Sequence, residues 1–136
     1  MTDALELPSN WQQIVTVART AREAAYAPYS KFHVGAAVVT KSGQVFSGCN
    51  VENASYGLTI CAERVAVCSA VAAGDRQIEV VCISLTGHAV PCGACRQFLY
   101  EFQPQMLLLL DNPEVAGNVP EVKRLSDLLP DGFRLN

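Results

Sequence analysis

Two short segments that carry three cysteines constrain the fold of this chain more than any other feature. They are Cys61-Ala62-Glu63 and Pro91-Cys92-Gly93-Ala94-Cys95. Helix-favouring residues follow each segment, so a helix is predicted to begin at Cys61 and another at Cys92. Three thiolates match a tetrahedral zinc site that keeps its fourth position open. If all three bind one ion, the beginnings of the two helices must converge.

Glu63 lies two residues after Cys61, close enough to reach the open position of such a site. Zinc lowers the pKa of a bound water from about 15.7 to about 7, and a neighbouring carboxylate can accept and return the proton. Taken alone, Cys92 and Cys95 also fit a redox dithiol, half of a structural zinc site, or two ordinary helix residues. Glu63 favours a hydrolytic site with about one Zn²⁺ per chain.

Arg64 and Arg96 directly follow the two cysteine segments. Three thiolates and one Zn²⁺ leave a formal charge of about −1, which would weaken the effect of the metal on its water. We predict that the two arginines compensate this charge. The alternative is that both lie over a helix surface with their charged ends in water.

Composition predicts one domain over residues 1–136, since half of the 136 residues are hydrophobic and can fill one core. A positive mean hydropathy with only 17% charged residues predicts that other subunits cover some apolar surface. A net charge of −3, with scattered basic residues, favours a small neutral substrate over a nucleic-acid polymer. With neither a signal peptide pattern nor a membrane span, we expect a cytoplasmic protein without a membrane partner.

Periodicity predicts the order helix, two strands, helix, strand, helix, strand. The predicted ranges are a helix from Asn10 to before Pro28, a hairpin over 34–39 and 45–50, a helix from Cys61 to Ala73, a strand over 78–85, a helix from Cys92 to about Phe102, and a strand over 106–110. The region after Asn112 is the least regular, with a short helix at 125–129. This alternation predicts an α/β fold, a three-layer sandwich with helices on both faces of a mixed sheet.

Cys-Ala-Glu followed by Pro-Cys-x-x-Cys resembles the signature of the zinc nucleoside and nucleobase deaminases. Segments 28–37, 50–57 and 128–133 are similar to further segments of the small, tetrameric cytidine deaminases. This resemblance implies their α/β/α sandwich with a mixed, mostly five-stranded sheet. It also implies zinc-dependent hydrolysis of cytidine and deoxycytidine to uridine and deoxyuridine in pyrimidine salvage, with release of ammonia. Glu63 would move a proton from water to N3 of the base and then to the departing amine.

The same resemblance implies which residues hold the nucleoside. Phe32, Asn50 and Glu52 would contact it, the last two through ribose hydroxyls. An amide and a carboxylate two residues apart at a strand end point the same way and together offer donors and acceptors, which suits that role. The backbone N–H of Ala62, at a helix start, would bind the pyrimidine carbonyl.

The resemblance further implies a homotetramer whose subunits share active sites. Phe133 would stack on the base bound by a neighbouring subunit, and Tyr56 would cross the same interface. The alternative for Phe133 is an apolar anchor for the tail. For Asn50, the alternative is that it stabilises a turn, as asparagine does in loops of many proteins.

Three other functions compete with this interpretation. A deaminase of the same fold could act on another amino-pyrimidine such as blasticidin S, but the Asn50-x-Glu52 pair argues against it. A structural zinc or binding module could be closed by a fourth cysteine, Cys49 or Cys68, and Glu63 argues against that. RNA or DNA editing is disfavoured by the acidic net charge and by the lack of an insertion that could form a basic channel.

Overall fold

The computed structural model describes residues 5–115, 117 and 119–135. The elements in chain order are α1 (Trp11–Glu23), β1 (Gly35–Thr40), β2 (Val45–Cys49), a 3₁₀ turn (Tyr56–Leu58), α2 (Ala62–Ala72), β3 (Ile78–Ser84), α3 (Gly93–Tyr100), β4 (Leu107–Asp111), β5 (Glu121–Arg124) and α4 (Leu125–Leu128). The five strands form one sheet in the order β2-β1-β3-β4-β5. β3 and β4 run parallel and the other neighbouring pairs are antiparallel, so the sheet is mixed, as predicted. None of the described helices is both long and apolar enough to cross a membrane.

Alternate residues of the central strands face two separate helical layers. In β1, Ala36 and Val38 join the apolar cluster that holds α2, α3 and α4. Ala37 and Val39 join the other cluster, which holds α1. Because helices cover both faces, every residue of β1 is buried. This arrangement confirms the predicted three-layer α/β/α sandwich.

The main departures from the predicted elements are at the end of α1 and in the region after Asn112. α1 ends at Glu23, although the apolar periodicity continues to Ala25. After Asn112, where little regular structure was predicted, β5 pairs antiparallel with β4. β5 has four residues and lies at the sheet edge with none of them buried, so it lacks the alternation by which strands are recognised. The predicted short helix that follows is confirmed as α4.

Gly48 allows α2 to lie directly against β2. A Cβ atom at this position would lie 2.4 Å from the backbone nitrogen of Ala66 and 2.6 Å from the carbonyl oxygen of Ala62. Only glycine leaves room for backbone that close. The contact therefore helps to fix where α2 begins, and α2 carries part of the candidate site.

A buried carboxylate joins α1 to the sheet. Asp111, at the end of β4, is 1% exposed. It accepts hydrogen bonds from Arg19 Nε at 2.9 Å and Arg19 Nη2 at 2.7 Å, and from Ser84 Oγ at 2.7 Å. A bidentate arginine–carboxylate pair is directional as well as strong. These bonds fix α1 against the ends of β3 and β4.

The start of β1 and the ends of β2 and β3 lie side by side, at one end of the strands. Gly35 pairs with Cys49 on one side and with Ser84 on the other. β3 has an antiparallel neighbour, β1, on one side and a parallel neighbour, β4, on the other. In open α/β sheets, ligands bind outside the carboxyl ends of strands where the strand order reverses. Here the order reverses between β1 and β3. A binding site is therefore expected at this end of the strands.

Candidate active site

The three predicted zinc ligands meet at the beginnings of two helices. Cys61 is the N-cap of α2, Cys92 is the N-cap of α3, and Cys95 lies in the first turn of α3. Their Sγ atoms all lie within 4.8 Å of one another. Cys49 and Cys68 do not belong to this group in the part of the chain that the structure describes. The structure therefore brings together the predicted set of three and not a set of four.

The donor set fits a zinc ion. A tetrahedral site with Zn–S bonds of about 2.3 Å separates its sulfurs by about 3.8 Å, which lies within the observed spacing. The pKa of Cys61 is lowered to about 5, chiefly by a hydrogen bond with Cys95 and further by Arg64. The same hydrogen bond, together with burial, raises the pKa of Cys95. A thiolate is thus already favoured at Cys61, and thiolates are the form that zinc binds.

Glu63 lies beside the sulfur cluster in the first turn of α2 and is only 4% exposed. Loss of hydration raises its pKa to about 7, and the negative charge of Cys61 adds to the rise. Burial disfavours a charged carboxylate, so the proton is held more tightly than in water. A carboxyl group with a pKa near neutrality can both accept and donate a proton, as a general acid–base catalyst must.

A cavity of about 210 Å³ opens onto these groups. It is lined by Val34, Asn50, Thr59, Cys61, Ala62, Glu63, Ile83, Leu85, Val90 and Cys92. The lining combines a largely apolar wall with a few polar groups, which is typical of sites for small molecules. Ala62 was predicted as a site residue, but five other lining residues were not: Val34, Thr59, Ile83, Leu85 and Val90. Their places next to the motifs and at the predicted strand ends are the signal that could have identified them.

The two arginines make different contacts. Arg64 Nη2 lies 3.5 Å from Cys61 Sγ and 3.4 Å from the carbonyl oxygen of Thr59. Its Nε is buried and has no hydrogen-bond partner among the described residues. Arg96 instead donates to the backbone carbonyls of Pro91, at 2.8 Å, and Leu128, at 2.9 Å. Contact with a cysteine sulfur therefore supports charge compensation by Arg64. Arg96 instead holds the backbone just before α3 and at the end of α4.

Asn50 connects the cavity to the loop before β1. It is buried, lines the cavity, and donates from Nδ2 to the carbonyl oxygen of Phe32 at 2.8 Å. Its Oδ1 accepts from the N–H of Val34 at 3.0 Å. The amide therefore shapes the loop that carries Phe32, while its second N–H and second lone pair remain available to a ligand.

Glu52 lies two residues further along and binds the same loop. Its Oε1 accepts from the N–H groups of Tyr29 at 3.0 Å and Ser30 at 3.1 Å, and its Oε2 accepts from the hydroxyl of Ser30. Glu52 is not among the residues that line the cavity.

The three predicted aromatic contacts are all exposed in the single chain. Phe32, Tyr56 and Phe133 are 41%, 75% and 64% exposed, and none of them is among the residues that line the cavity. Gln97 Nε2 donates to the carbonyl oxygen of Phe133 at 3.2 Å, which fixes the tail against α3. Exposed aromatic rings of this kind are available to a ligand or to another subunit.

Comparison with protein families identifies one match that spans most of the chain. The model described as the cytidine and deoxycytidylate deaminase zinc-binding region matches residues 8–110. This range includes both cysteine segments, Glu63, and the loop and strand end that carry Phe32 and Asn50.

Individual proteins match over nearly the full length of the chain. It is 43% identical to the cytidine deaminase of Mycobacterium tuberculosis strain H37Rv, covering 93% of this chain and 92% of that protein. It is 45% identical to the cytidine deaminase of Halalkalibacterium halodurans, covering 90% and 92%. The crystal structure of the cytidine deaminase from Burkholderia pseudomallei matches with a TM-score of 0.84 and 49% identity, over 90% of this chain and 98% of that one.

Proposed function

We propose that this chain, which belongs to the family of cytidine and deoxycytidylate deaminases, hydrolyses cytidine and deoxycytidine to uridine and deoxyuridine with release of ammonia. The observation that carries the proposal is the meeting of three cysteine sulfurs, within 4.8 Å of one another, with the buried Glu63 at one cavity. A structural zinc site needs four protein ligands and no acid–base group. This site has three candidate ligands and one carboxyl group beside them.

Zinc is the cofactor of this family, and Cys61, Cys92 and Cys95 would hold it. When bound, zinc supplies a water whose pKa is lowered to about 7, so that it can react at neutral pH. The protein contributes thiolates at two helix N-termini, where the helix dipoles stabilise negative charge.

Glu63 would carry the protons of the reaction. It accepts one from the attacking water and delivers it to N3 of the cytosine ring as oxygen adds to C4. It then moves a second proton to the amino nitrogen, which leaves as ammonia while the C4 carbonyl forms. Burial of Glu63 supports this role, because it excludes solvent that would compete for the proton.

The nucleoside would be held by groups that surround the cavity. The N–H of Ala62, the first residue of α2, would donate to the pyrimidine carbonyl, since the first N–H groups of a helix lack intrahelical partners. Asn50 and Glu52 would bind ribose hydroxyls, and Phe32 would contact the nucleoside. Asn50 has support from its place in the cavity lining. Glu52 and Phe32 have support from the loop that links them to Asn50.

Tyr56 and Phe133 would act across subunit interfaces of a homotetramer, with Phe133 stacked on the base in a neighbouring active site. Their exposure in the single chain supports this role.

We further propose that the chain is one domain over residues 1–136, that it is cytoplasmic, that it serves pyrimidine salvage, and that it assembles as the homotetramer described above. Light scattering at micromolar concentration tests the assembly, and a monomer mass would contradict it.

The test of function follows ultraviolet absorbance when purified protein of known zinc content is mixed separately with cytidine, deoxycytidine and cytosine. We expect the signal to fall with both nucleosides and to change little with the free base, because the sugar contacts are missing there. No change with any of the three compounds, at about one zinc per chain, would contradict the proposal. Blasticidin S would then be the next substrate to test.

Arg64→Ala is expected to weaken zinc retention and activity by about tenfold or more, the range found when groups that support metal ligands are removed. The physical reason is the loss of the positive charge beside Cys61 Sγ. Zinc retention is measured by competition with a chelator, and activity by the absorbance assay. Arg76→Ala is the matched control, since Arg76 is exposed and lies between the end of α2 and the start of β3. Equal effects of the two substitutions would remove the charge-compensation role. For Arg96, that role remains a prediction.

A further inference from the structure

The loop between α1 and β1 is held in an unusual conformation by side chains. Lys31, in its middle, has a φ of 63°, in the left-handed region that residues other than glycine rarely adopt. Its N–H donates to the carbonyl oxygen of Ala27 at 3.0 Å. A conformation of this kind persists where the surroundings fix it, and such positions cluster at ligand-binding sites.

One hydroxyl group in this loop joins it to the segment that follows β2. Ser30 Oγ donates its proton to Glu52 Oε2 and accepts the N–H of Phe32 at 3.0 Å. The bond to Glu52 is charge-assisted, and it is the largest of the causes that lower the pKa of Glu52. The carboxylate and the aromatic residue therefore depend on the same side chain for their positions.

Asn50 holds the other end of the Phe32 peptide. The N–H of Phe32 is bound by Ser30, and its carbonyl oxygen accepts from Asn50 Nδ2 at 2.8 Å. Asn50 in turn lines the cavity. A continuous chain of hydrogen bonds thus runs from the cavity through Asn50 and Phe32 to Ser30 and Glu52.

We propose that Ser30 is a positioning residue for sugar recognition, which orients Glu52 toward the nucleoside hydroxyls and fixes the backbone of Phe32. This inference rests on the proposed function. Ser30 would not touch the reacting atoms, so it acts on substrate binding and not on the chemical step. Alanine at this position would leave Oε2 of Glu52 and the N–H of Phe32 to water. Glu52 would then be held through Oε1 alone, by the two backbone N–H groups of residues 29 and 30, and its orientation would be less fixed.

The experiment compares Ser30→Ala, Ser30→Thr and the control Ser47→Ala, which removes a hydroxyl from an exposed position of β2. With cytidine we expect the KM of Ser30→Ala to rise about tenfold at nearly unchanged kcat, because a hydrogen bond to a charged group is lost. Zinc content and unfolding temperature are expected to match the wild type. Threonine keeps the hydroxyl and is expected to restore KM to within about threefold of the wild-type value.

A sugar analogue separates this role from a general loosening of the loop. With 2′,3′-dideoxycytidine, which lacks the ring hydroxyls, Ser30→Ala is expected to raise KM much less than with cytidine. Calorimetric titration with uridine and with 2′,3′-dideoxyuridine gives the same comparison without turnover. Equal losses for the two substrates, a loss confined to kcat, or failure of threonine to restore KM would each overturn the proposal.

Wild-type activity distinguishes failure of this inference from failure of the proposed function. No wild-type turnover of cytidine would overturn the function and, with it, the role of Ser30. Normal wild-type turnover together with an unchanged KM in Ser30→Ala would overturn the role of Ser30 alone.

Discussion

Glu63→Gln is expected to lower kcat for cytidine by about three orders of magnitude while zinc content and fold are retained. Glutamine keeps the shape of the side chain but can neither accept a proton from water nor return one to the base. Burial already disfavours the charged form of this carboxyl group and raises its pKa to about 7, so a neutral amide costs little fold stability. The measurements are kcat, zinc per chain and the unfolding temperature.

The matched control is Glu79→Gln, which makes the same chemical change at an exposed position of β3. This variant is expected to keep wild-type kcat. Turnover of Glu63→Gln within about tenfold of the wild type would exclude Glu63 as the proton carrier, since loss of a general acid–base group costs about a hundredfold or more.

The cysteine segments predicted the cluster of three sulfurs because each cysteine lies in or next to the first turn of a helix, which depends only on nearby residues. A cysteine directly before a helix becomes an N-cap whatever the rest of the chain does, and Cys61 and Cys92 both do so. One coordination centre then requires the two helices to converge. The alternation of helices and strands likewise predicted the three layers, because each apolar face must be covered.

Contacts that join distant segments were not predictable in the same way. Arg96 follows Cys95 directly, yet one of its hydrogen bonds reaches Leu128 across the fold. Arg19 binds Asp111, which lies 92 residues away in sequence. A long side chain can turn in several directions, and only the packed neighbours decide which one it takes. The sequence therefore placed Arg64 and Arg96 alike, whereas the structure distinguishes them.

The contacts of Asn50 and Glu52 were predicted in part, while their binding of ribose remains a prediction. Their spacing correctly indicated that both side chains point the same way, and both reach the loop before β1. That each residue holds backbone groups of this loop could not be read from the spacing. The same loop contains Lys31 at a positive φ, which the sequence does not signal either.

Cys95→Ser is expected to abolish stoichiometric zinc binding and to reduce activity to below about 1% of wild type, because a serine hydroxyl is a poor substitute for a thiolate ligand. Cys95 is buried and close to both other sulfurs, so water has little room to replace it as a ligand. The variant is also expected to unfold at a lower temperature, since an ion that binds only the folded state stabilises it. Zinc per chain, residual activity and the unfolding temperature are measured together.

Chelation provides the test that separates metal loss from a packing defect. A strong chelator is expected to lower the unfolding temperature of the wild type toward that of Cys95→Ser and to leave the variant unchanged. Cys68→Ser, on the exposed side of α2, is the control and is expected to respond like the wild type. If Cys95→Ser retained about one zinc per chain, or if the chelator lowered its unfolding temperature as much as that of the wild type, Cys95 would not be a ligand. The three-thiolate site would then be wrong, because the cluster would hold too few ligands to account for the bound ion.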